Sequence, residues 1–599
     1  MLEIIVSNKA RLQLPVNINL QIILENPLFM DDNIPSPYSL SFAIPATPGN
    51  VSALGYPTRI TSTSVISKQP AEIRHSGMII SRGEVLLLET GNSLKLQFVG
   101  SILTDEMKSD LNEISDIYDY GFMPEDLSDI DYYDNWAVDY KDALNYNLNH
   151  GRDYVIAPVR IKDVPWDGDI SWGGTKNSFL QYINFYNPIN NKLYIGDGHY
   201  RRTPVLPFPF VHKLISKVFG DKLPVNPFAV GDLAKLVTVS CNHPHWNYDS
   251  LFGSFTQSEF PYEDVEVVRP LIDSYEAVSG QIPLKFDTKS FSQAYAFNKF
   301  LKELLKTFSM SAFPGNVWTI EKNNDIFNGS VVVNWDEKLV GIPVKKIEEG
   351  KSYVFSFDGI SLSENKTNYG FRFVNPLYLR AITKPVGEQV LLRDLESNAQ
   401  FGTTVTHNWS ETEKWLDCEV KQSALECAIP DSTENLVNPK SEVIPLDMSI
   451  EPYWNEEESN TSHITRKYWY VPILEKKELT KAPNIMAFAG MAGAFDENDN
   501  YPLLLNHNTD HFGNKLMDLS LRPEGQDGLN NTFHSGMKSW YEKDKLRLQS
   551  VFRLTLSDIR NLDLRKKIYL KGRLFFIEKL EYSLTMKDIS LVDASLVEC

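Results

Sequence analysis

The stretch from Asn26 to Ile60 reads NPLFMDDNIPSPYSLSFAIPATPGNVSALGYPTRI and decides how the start of the chain folds. Alternate apolar residues within it fall on one face of a period-two strand: Tyr38, Leu40, Phe42 and Ile44. Prolines interrupt the chain on both sides of this strand: Pro35, Pro37, Pro45 and Pro48. The pattern predicts one short strand bounded by turns, with Asn26–Phe29 leading into it. Because the stretch contains no nucleophile–base pair and no ligand cluster, it predicts β structure and no chemistry.

The residues on either side of this stretch also alternate, and they predict an N-terminal β-domain over residues 1–104. Strands are predicted at five places: Leu2–Val6, Leu20–Leu24, Met78–Ile80, Val85–Leu88 and Leu94–Phe98. We expect glycine-containing turns at Ser81–Gly83 and Thr90–Asn92 to separate the last three strands, as in a meander.

Two segments in the middle of the chain have the apolar spacing of amphipathic helices. The first runs from Val211 to Phe219 and ends at Gly220. The second runs from Phe297 to Phe308, with Ser292 as the expected N-cap. Both apolar stripes indicate packing on a core and do not indicate a cofactor site.

The last part of the chain mixes helix and strand. A final helix is expected to place five apolar residues on one side: Leu529, Phe533, Met537, Trp540 and Tyr541. A strand over Leu546–Leu556 and a hairpin that turns at Lys571–Arg573 are predicted to follow it. In contrast, residues 395–470 are rich in Asn, Ser, Thr and Glu and predict long loops between strands.

The composition is that of a folded protein with several domains. A chain of 599 residues is too long for one core, and short runs of Val, Ile, Thr and Tyr favour β structure. The 59 basic and 78 acidic residues give a net charge of −19, which argues against tight binding to a phosphate backbone. An acidic surface is compatible with DNA that passes by without being held.

One segment concentrates the acidic residues. Between Asp105 and Asp142 there are 13 Asp or Glu residues and two lysines, interleaved with tyrosines and Trp136. A charge run of this kind predicts a solvated face or loop. The functional alternative is a surface that faces a partner subunit or a channel.

Possible metal ligands are few. Cys241, His243 and His245 form the densest group, but no second pair lies at the usual spacing, so we expect a polar loop there. His507 and His511 fall in a loop that lacks the glutamate of a zinc peptidase. We therefore expect no metal site at either place.

Other site signatures also fail. Asp496–Asn500 resembles the start of a calcium loop, but Tyr501 and His507 stand where glycine and glutamate are needed. Gly196–Gly198 lacks the third glycine of a dinucleotide fingerprint, and there is no phosphate-binding loop or Gly-x-Ser-x-Gly motif. The sequence therefore predicts no catalytic, cofactor-binding or metal-binding residue.

The sequence also predicts a soluble protein that folds in a cytoplasm. Four cysteines make a poor disulfide framework for this length. Cys418 and Cys427 are close enough in sequence for a bridge, but two unpaired buried thiols are expected there. No signal peptide opens the chain. The longest small and apolar stretch, Ala482–Phe495, is too short and too interrupted to span a bilayer.

Two stretches at opposite ends of the chain resemble the tail-hub or tail-tip proteins of phages of gut Bacteroidetes, a group that includes the crAss-like phages. The N-terminal match comprises Asn26–Phe29 and Tyr38–Asn50. The C-terminal match comprises Trp540, Leu546–Leu556, Leu562–Leu564 and Ile568–Tyr582. Weaker matches lie between the two, including a similar pair of helices near the middle.

The resemblance implies a structural virion protein of the phage tail that is made in the host cytoplasm and has no enzymatic activity and no cofactor. It implies tail-tube-like β-barrels to which both chain ends contribute strands. It further implies a ring of identical copies around the tail axis, with three or six copies, or a pseudo-symmetric multiple, left open. The expected partners are further copies, tube or collar proteins and distal tail or fibre proteins. DNA is expected to pass through the ring, with no membrane contact.

These observations predict a multidomain, mainly β fold with some α (α+β). The expected domains are a β-domain (1–104), an acidic, aromatic-rich insertion with loops (105–200), a helix-containing α+β domain (201–345), a β-domain with long polar loops (346–470) and a C-terminal α+β barrel segment (471–599). The alternative function is a carbohydrate-binding or polysaccharide-degrading β protein of the tail. Its sugar cleft would be lined by the Trp- and Tyr-rich residues 116–142.

Overall fold

The computed structural model shows a chain made mostly of strands, with a few short helices, which confirms the prediction of a mainly β fold with some α. It describes residues 1–6, 10–30, 38–57, 68–100, 107, 109, 111, 137–139, 154–155, 157–162, 182–184, 186–187, 192–194, 208–239, 295–313, 317–360, 362, 369–373, 389–393, 400–410, 415–420, 425, 427, 429–430, 434–457, 464–475, 482–493, 500–510 and 514–599.

The strands in these ranges are β1 (Leu2–Val6), β2 (Ala10–Arg11), β3 (Leu20–Glu25), β4 (Tyr38–Ser39), β5 (Phe42–Pro45), β6 (Lys68–His75), β7 (Met78–Thr90), β8 (Ser93–Gly100), β9 (Ala137–Asp139), β10 (Tyr154–Val155), β11 (Val159–Lys162), β12 (Tyr182–Ile183), β13 (Tyr186–Asn187), β14 (Lys192–Tyr194), β15 (Phe208–Pro209), β16 (Leu236–Val239), β17 (Met310–Phe313), β18 (Thr319–Lys322), β19 (Val332–Asn334), β20 (Leu339–Glu348), β21 (Ser356–Phe357), β22 (Tyr369–Phe373), β23 (Gln389–Arg393), β24 (Gln400–Ser410), β25 (Trp415–Val420), β26 (Lys440–Ser441), β27 (Asp447–Glu457), β28 (Ile464–Glu475), β29 (Asn484–Gly493), β30 (Asn500–Leu505), β31 (Lys545–Phe552), β32 (Lys567–Leu570), β33 (Arg573–Leu584) and β34 (Val592–Glu598).

The α-helices in the same ranges are α1 (Pro48–Ala53), α2 (Val211–Phe219), α3 (Phe297–Thr307), α4 (Asn323–Asn328), α5 (Leu529–Thr532), α6 (Ser535–Tyr541) and α7 (Leu556–Arg560). Within the described residues, no helix is both long enough and apolar enough to cross a membrane.

The largest sheet in the described part of the chain has 14 strands and joins the two chain ends. Its main order is β2-β1-β6-β7-β8-β4-β3-β33-β34-β31-β20, with β5 also paired to β8, and with β32 and then β19 following from β33. The N-terminal strand β3 runs antiparallel to the C-terminal β33, with Leu20 opposite Leu584 and Glu25 opposite Lys579. Among the described strands no pairing connects β2 with β20, so the tail-tube-like barrel stays a prediction.

The apolar faces of these elements form separate cores. The first lies on the large sheet and includes the fully buried side chains of Ile4 and Leu580, one from each end of the chain. The second packs α2 and α3 against β16, β29 and β30, with Phe300 and Ile485 fully buried. The two predicted amphipathic helices therefore bury their stripes in a core, as expected from their spacing. The large sheet takes residues from four of the five predicted domains, because β20 crosses the limit predicted after residue 345, and the domain limits stay predictions.

One of the two predicted turns of the N-terminal meander is wrong. The turn at Thr90–Asn92 is confirmed, because β7 ends at Thr90 and β8 begins at Ser93. At Gly83, however, β7 continues without a break. A Cβ atom at Gly83 would lie 2.2 Å from the backbone oxygen of Val99 on β8. The glycine therefore permits the close approach of β7 and β8. The chain reverses direction instead between β6 and β7, at Ser76–Gly77, where both φ angles are positive.

The strand predicted over Tyr38–Ile44 is two strands, β4 and β5. In β4 the buried side belongs to the residue predicted to be exposed, and in β5 it belongs to the residues predicted to be buried. In β4 the buried residue is Ser39, whose hydroxyl oxygen accepts a hydrogen bond from the backbone N–H of Phe98. Leu40 is exposed, and β5 then buries Phe42 and Ile44 as predicted. A polar contact to the neighbouring strand therefore overrides the apolar alternation at the start of this segment.

The two central helices are confirmed. The first spans Val211–Phe219 and ends at Gly220, as predicted. The second begins at Phe297 with Ala296 at the N-cap, while the predicted cap, Ser292, lies outside the described residues.

The predicted final helix is two short helices, α5 and α6, with a break at Phe533 and His534. At this break the His534 side chain contacts two distant segments, at Thr307 and at Tyr353. The apolar spacing gives no sign of these contacts. The strand that follows ends at Phe552, and residues from Leu556 to Arg560 form α7.

Residues 395–470, predicted as long loops between strands, contain more strand than that prediction indicates. The segment contains four long strands, β24, β25, β27 and β28, and the last two pair antiparallel over most of their length. The Asn, Ser, Thr and Glu residues of these strands hide the β pattern, because composition alone assigns such residues to loops. The predicted hairpin at Lys571–Arg573 is confirmed, with positive φ angles at Lys571 and Gly572.

Candidate functional site: a junction between the chain ends

Asn26 lies at the end of β3 and joins the N-terminal strand to two C-terminal segments. Its side chain is fully buried, and its amide nitrogen donates to the backbone oxygens of Leu564 (2.9 Å) and Ile577 (2.7 Å). These acceptors are 538 and 551 residues away in the sequence. The Asn26 side-chain oxygen accepts from the backbone N–H of Leu28 at 3.0 Å and so begins the short turn Pro27–Phe29.

The turn places two apolar side chains of the motif against the C-terminal part. Leu28 is buried, and the Phe29 ring lies 5.1 Å from the ring of Trp540 and 6.2 Å from that of Phe576. The Trp540 indole N–H donates to the backbone oxygen of Glu598 at 2.9 Å. Burying aromatic rings in tilted contact stabilises the fold by more than their apolar area alone. We call Asn26–Phe29, Trp540 and Phe576, with Leu564 and Ile577, the terminal junction.

A buried lysine holds Trp540 in place. Lys545 is almost fully buried, and its ammonium group donates to the backbone oxygens of Trp540 (3.0 Å), Tyr541 (3.1 Å) and Lys543 (3.1 Å). These are carbonyls at and just beyond the C-terminus of α6, where a cation is favourable. The ammonium also lies 4.4 Å from the centre of the Trp540 ring. Burial lowers the pKa of Lys545, and the nearby carboxylate of Glu348 opposes that shift.

His534 connects α3, the segment before β21 and α6. Its Nε2 lies 3.1 Å from the backbone oxygen of Thr307, which can only accept, so Nε2 carries the proton. Its Nδ1 then accepts from the hydroxyl of Tyr353 at 2.8 Å. The ring stacks on Phe355 with a centroid separation of 4.5 Å. Complete burial lowers the pKa of His534 to about 4, so the imidazole is neutral at pH 7.

A small cavity lies beside the terminal junction. Its volume is about 80 Å³, and its walls include Leu28, Met30, Lys306, Ser311 and His534. Pockets that hold small molecules usually measure about 300–1,000 Å³. This cavity is smaller, so the geometry here is that of a packed joint between distant segments.

Most residues that the sequence singled out as possible ligands lie outside the described residues: Cys241, His243, His245, His511, Asp496–Asp499 and Gly196–Gly198. The same is true of the acidic segment 105–142, apart from Met107, Ser109, Leu111 and β9.

His507 is described, and it lies just after β30. Its Nδ1 is 2.9 Å from the side-chain oxygen of Asn506, and its Nε2 is 3.4 Å from the Tyr470 hydroxyl. Burial lowers its pKa well below the usual value. In the part of the chain that the structure describes, no three His, Cys, Asp or Glu side chains come together as a metal site.

The roles of His534 and Lys545 were not predicted from the sequence. His534 lies 227 residues from Thr307 and 181 from Tyr353, so no local pattern links them. The one available signal is a histidine between the apolar residues Phe533 and Met537 in a segment predicted to be buried.

No protein-family model and no curated protein sequence matches the chain. Among solved structures, the 43 kDa tail protein of prophage MuSo2 from Shewanella oneidensis aligns over 100% of this chain and 98% of its own, with 6% identity and a TM-score of 0.25. A tail protein from Neisseria meningitidis MC58 aligns over 100% of this chain and 96% of its own, with 7% identity and a TM-score of 0.27. Because these identities and TM-scores are low, we base the proposed function on the geometry of the terminal junction.

Proposed function

We propose that this chain is a structural protein of a phage tail, namely a tail-hub subunit that forms a ring of identical copies around the DNA channel. In this role it joins tube or collar proteins to the distal parts of the tail. It performs no catalysis and carries no cofactor.

One observation carries the proposal: the two stretches that resemble tail-hub proteins contact each other. Asn26 and Phe29 of the N-terminal stretch bond or pack against Leu564, Phe576, Ile577 and Trp540 of the C-terminal stretch. The two stretches are far apart in the sequence, and a single buried contact gives one structural reason for both. A joint of this kind fixes the shape of the large sheet, and shape is what a ring subunit must supply.

Two further observations fit the proposal. A net charge of −19 suits a protein that lets DNA pass, because like charges repel and DNA does not adhere. The cavity of about 80 Å³ beside the junction is too small for a substrate.

Negative-stain electron microscopy of the purified full-length protein tests the ring. We expect annular particles with a central channel, and the same annular density in purified phage tails. Particles of monomer size at every concentration up to the highest soluble one would contradict the proposal.

The polysaccharide-degrading alternative is tested separately. Purified protein is incubated with host surface polysaccharide, and the products are sized by chromatography. We expect an unchanged size distribution, whereas the release of shorter fragments would replace the structural function with an enzymatic one.

A further inference from the structure

Strand β20 forms one edge of the large sheet and exposes several apolar side chains. The exposed fractions are 95% for Ile342, 66% for Val344 and 75% for Ile347. Among the described residues β20 pairs with β31 alone, so its outer edge faces away from the rest of the sheet. Edge strands of soluble proteins usually avoid this combination, because exposed apolar edges associate.

The face of the large sheet that carries the first core extends onto β20, where some of its side chains are exposed. Ile347 lies opposite Leu546, and Lys345 lies opposite the buried Leu548. Residues opposite each other on antiparallel strands point to the same face. Ile347 therefore belongs to the face that carries the first core, yet three quarters of its side chain is exposed.

A bulge separates this part of the strand from Ile342. Val340 pairs with Val551 and Val344 with Gln549, so Gly341, Ile342 and Pro343 all stand opposite Ser550. Gly341 has a φ of 79°, which favours glycine. The bulge and the proline prevent another strand from pairing at this point, but they project the Ile342 side chain outwards. Contact here must therefore be made through side chains.

The charge on this edge is opposite to that of the chain as a whole. The strand carries two exposed lysines, Lys345 and Lys346, and its one acidic residue, Glu348, is paired with Lys351 and Arg547. The whole chain has a net charge of −19, so the remaining surface of another copy is on average acidic. An apolar patch with two lysines is complementary to such a surface.

We propose that the edge patch, defined as Ile342, Val344, Lys345, Lys346 and Ile347 of β20, is the contact surface for a second copy of this chain. This copy encloses the edge, because Lys345 and Ile347 point to the core face of the sheet and Val344 and Lys346 to the other face. The contact is heterologous: the edge patch of one copy lies against a different, acidic surface of the next, which is the type of contact that closes a ring. This inference rests on the proposed function, because it places the contact between neighbours in the proposed ring.

The test compares the assembly of the full-length protein with that of two variants by sedimentation velocity over a concentration series. The double variant Ile342→Asp/Ile347→Asp replaces two exposed apolar side chains. We expect its self-association to be about 100-fold weaker, the effect of removing two buried aliphatic side chains from a contact. The matched control is Val225→Asp/Val230→Asp, in a loop away from the sheet, where the exposed fractions are 70% and 66%. The control is expected to assemble like the wild type, and circular dichroism verifies that all three proteins fold.

A second variant, Lys345→Glu/Lys346→Glu, tests the charge. We expect weaker assembly of this variant, and wild-type assembly that weakens as salt is raised. A ring that survives both variants overturns the edge patch as the contact between copies and leaves the proposed function intact. A wild type that is monomeric at every concentration overturns the proposed function and this inference together. Equal loss of assembly in the Val225→Asp/Val230→Asp control would also overturn the assignment to β20.

Discussion

Asn26 connects sequence and fold at the scale of a single residue. Its amide nitrogen donates to two backbone oxygens, and its oxygen begins the turn that places Phe29 on Trp540. An aliphatic side chain of similar size fits the space but offers no hydrogen bond. The side chain is therefore needed for its two donors and one acceptor, since unpaired polar groups are costly in a core.

Replacing Asn26 with alanine is expected to lower the free energy of unfolding by about 3 kcal/mol, because two backbone oxygens and the Leu28 N–H lose their partner. Urea denaturation followed by tryptophan fluorescence measures the change. The control is Asn561→Ala, since Asn561 is exposed and its side chain bonds to the hydroxyl of Ser557. Equal effects at the two positions would mean that the junction bonds add no stability.

His534 gives the fold a dependence on pH. Its pKa is about 4 in the folded chain and 6.5 in an unfolded one, so only the unfolded state binds a proton between these values. Stability is therefore complete above pH 6.5 and is lost as the pH falls towards 4, by about 3 kcal/mol. We expect His534→Gln to remove the part of the decline that His534 causes, as measured by denaturation at a series of pH values, while His75 and His507, whose pKa values burial also lowers, keep the rest. The control, His212→Gln on α2, should retain it, and an unchanged slope in His534→Gln would refute the role of His534.

At the scale of elements, the hairpin of β7 and β8 depends on a glycine. Gly83→Ala would place a Cβ atom 2.2 Å from the backbone oxygen of Val99, and a backbone oxygen in a sheet cannot move aside. We expect a loss of about 3 kcal/mol in stability, measured by thermal and urea denaturation. Gly91→Ala is the matched control, because its nearest neighbour would be the oxygen of Ser93 at 3.9 Å. A loss as large at Gly91, where alanine meets no close neighbour, would contradict the assignment of the effect to the contact with Val99.

The sequence predicted elements well where local rules apply. The hairpin at Lys571–Arg573 and helix α2 follow from turn chemistry and apolar spacing, which act over a few residues. The prediction failed where a contact with a residue far away in the sequence determines the local structure. Gly83 was taken as a turn because its neighbour Val99 is not visible in a local pattern, and the break at His534 depends on Thr307 and Tyr353.

The same reasoning applies to the terminal junction. The resemblance marked Asn26–Phe29 and Trp540 as important, but the sequence did not place them in contact, because residues from opposite ends of the chain share no spacing rule. The extent of the strands in the polar region 395–470 was underestimated for a different reason. They contain the Asn, Ser, Thr and Glu residues that composition assigns to loops.

At the scale of the whole molecule, the two ends of the chain depend on each other. β3 pairs with β33 from Leu20–Leu584 to Glu25–Lys579, and the turn Pro27–Phe29 fills the aromatic cluster around Trp540. The C-terminal strands therefore complete their core only after the first thirty residues have joined them. For the proposed ring, this arrangement makes the fold of the sheet a condition for assembly.

Removal of residues 1–30 tests this dependence. The truncated chain would expose the edge of β33 over Lys579–Leu584 and leave Trp540 and Phe576 without Phe29. Since an unpaired apolar edge pairs with other chains, we expect aggregation and loss of soluble protein, measured by size-exclusion chromatography of the lysate. The full-length Asn26→Ala variant is the control, because it weakens the junction but keeps β3, and it should remain soluble. A truncated protein that stays soluble, with the melting temperature of the full-length chain, would mean that the C-terminal strands fold independently and that the junction only adds to a sheet already formed.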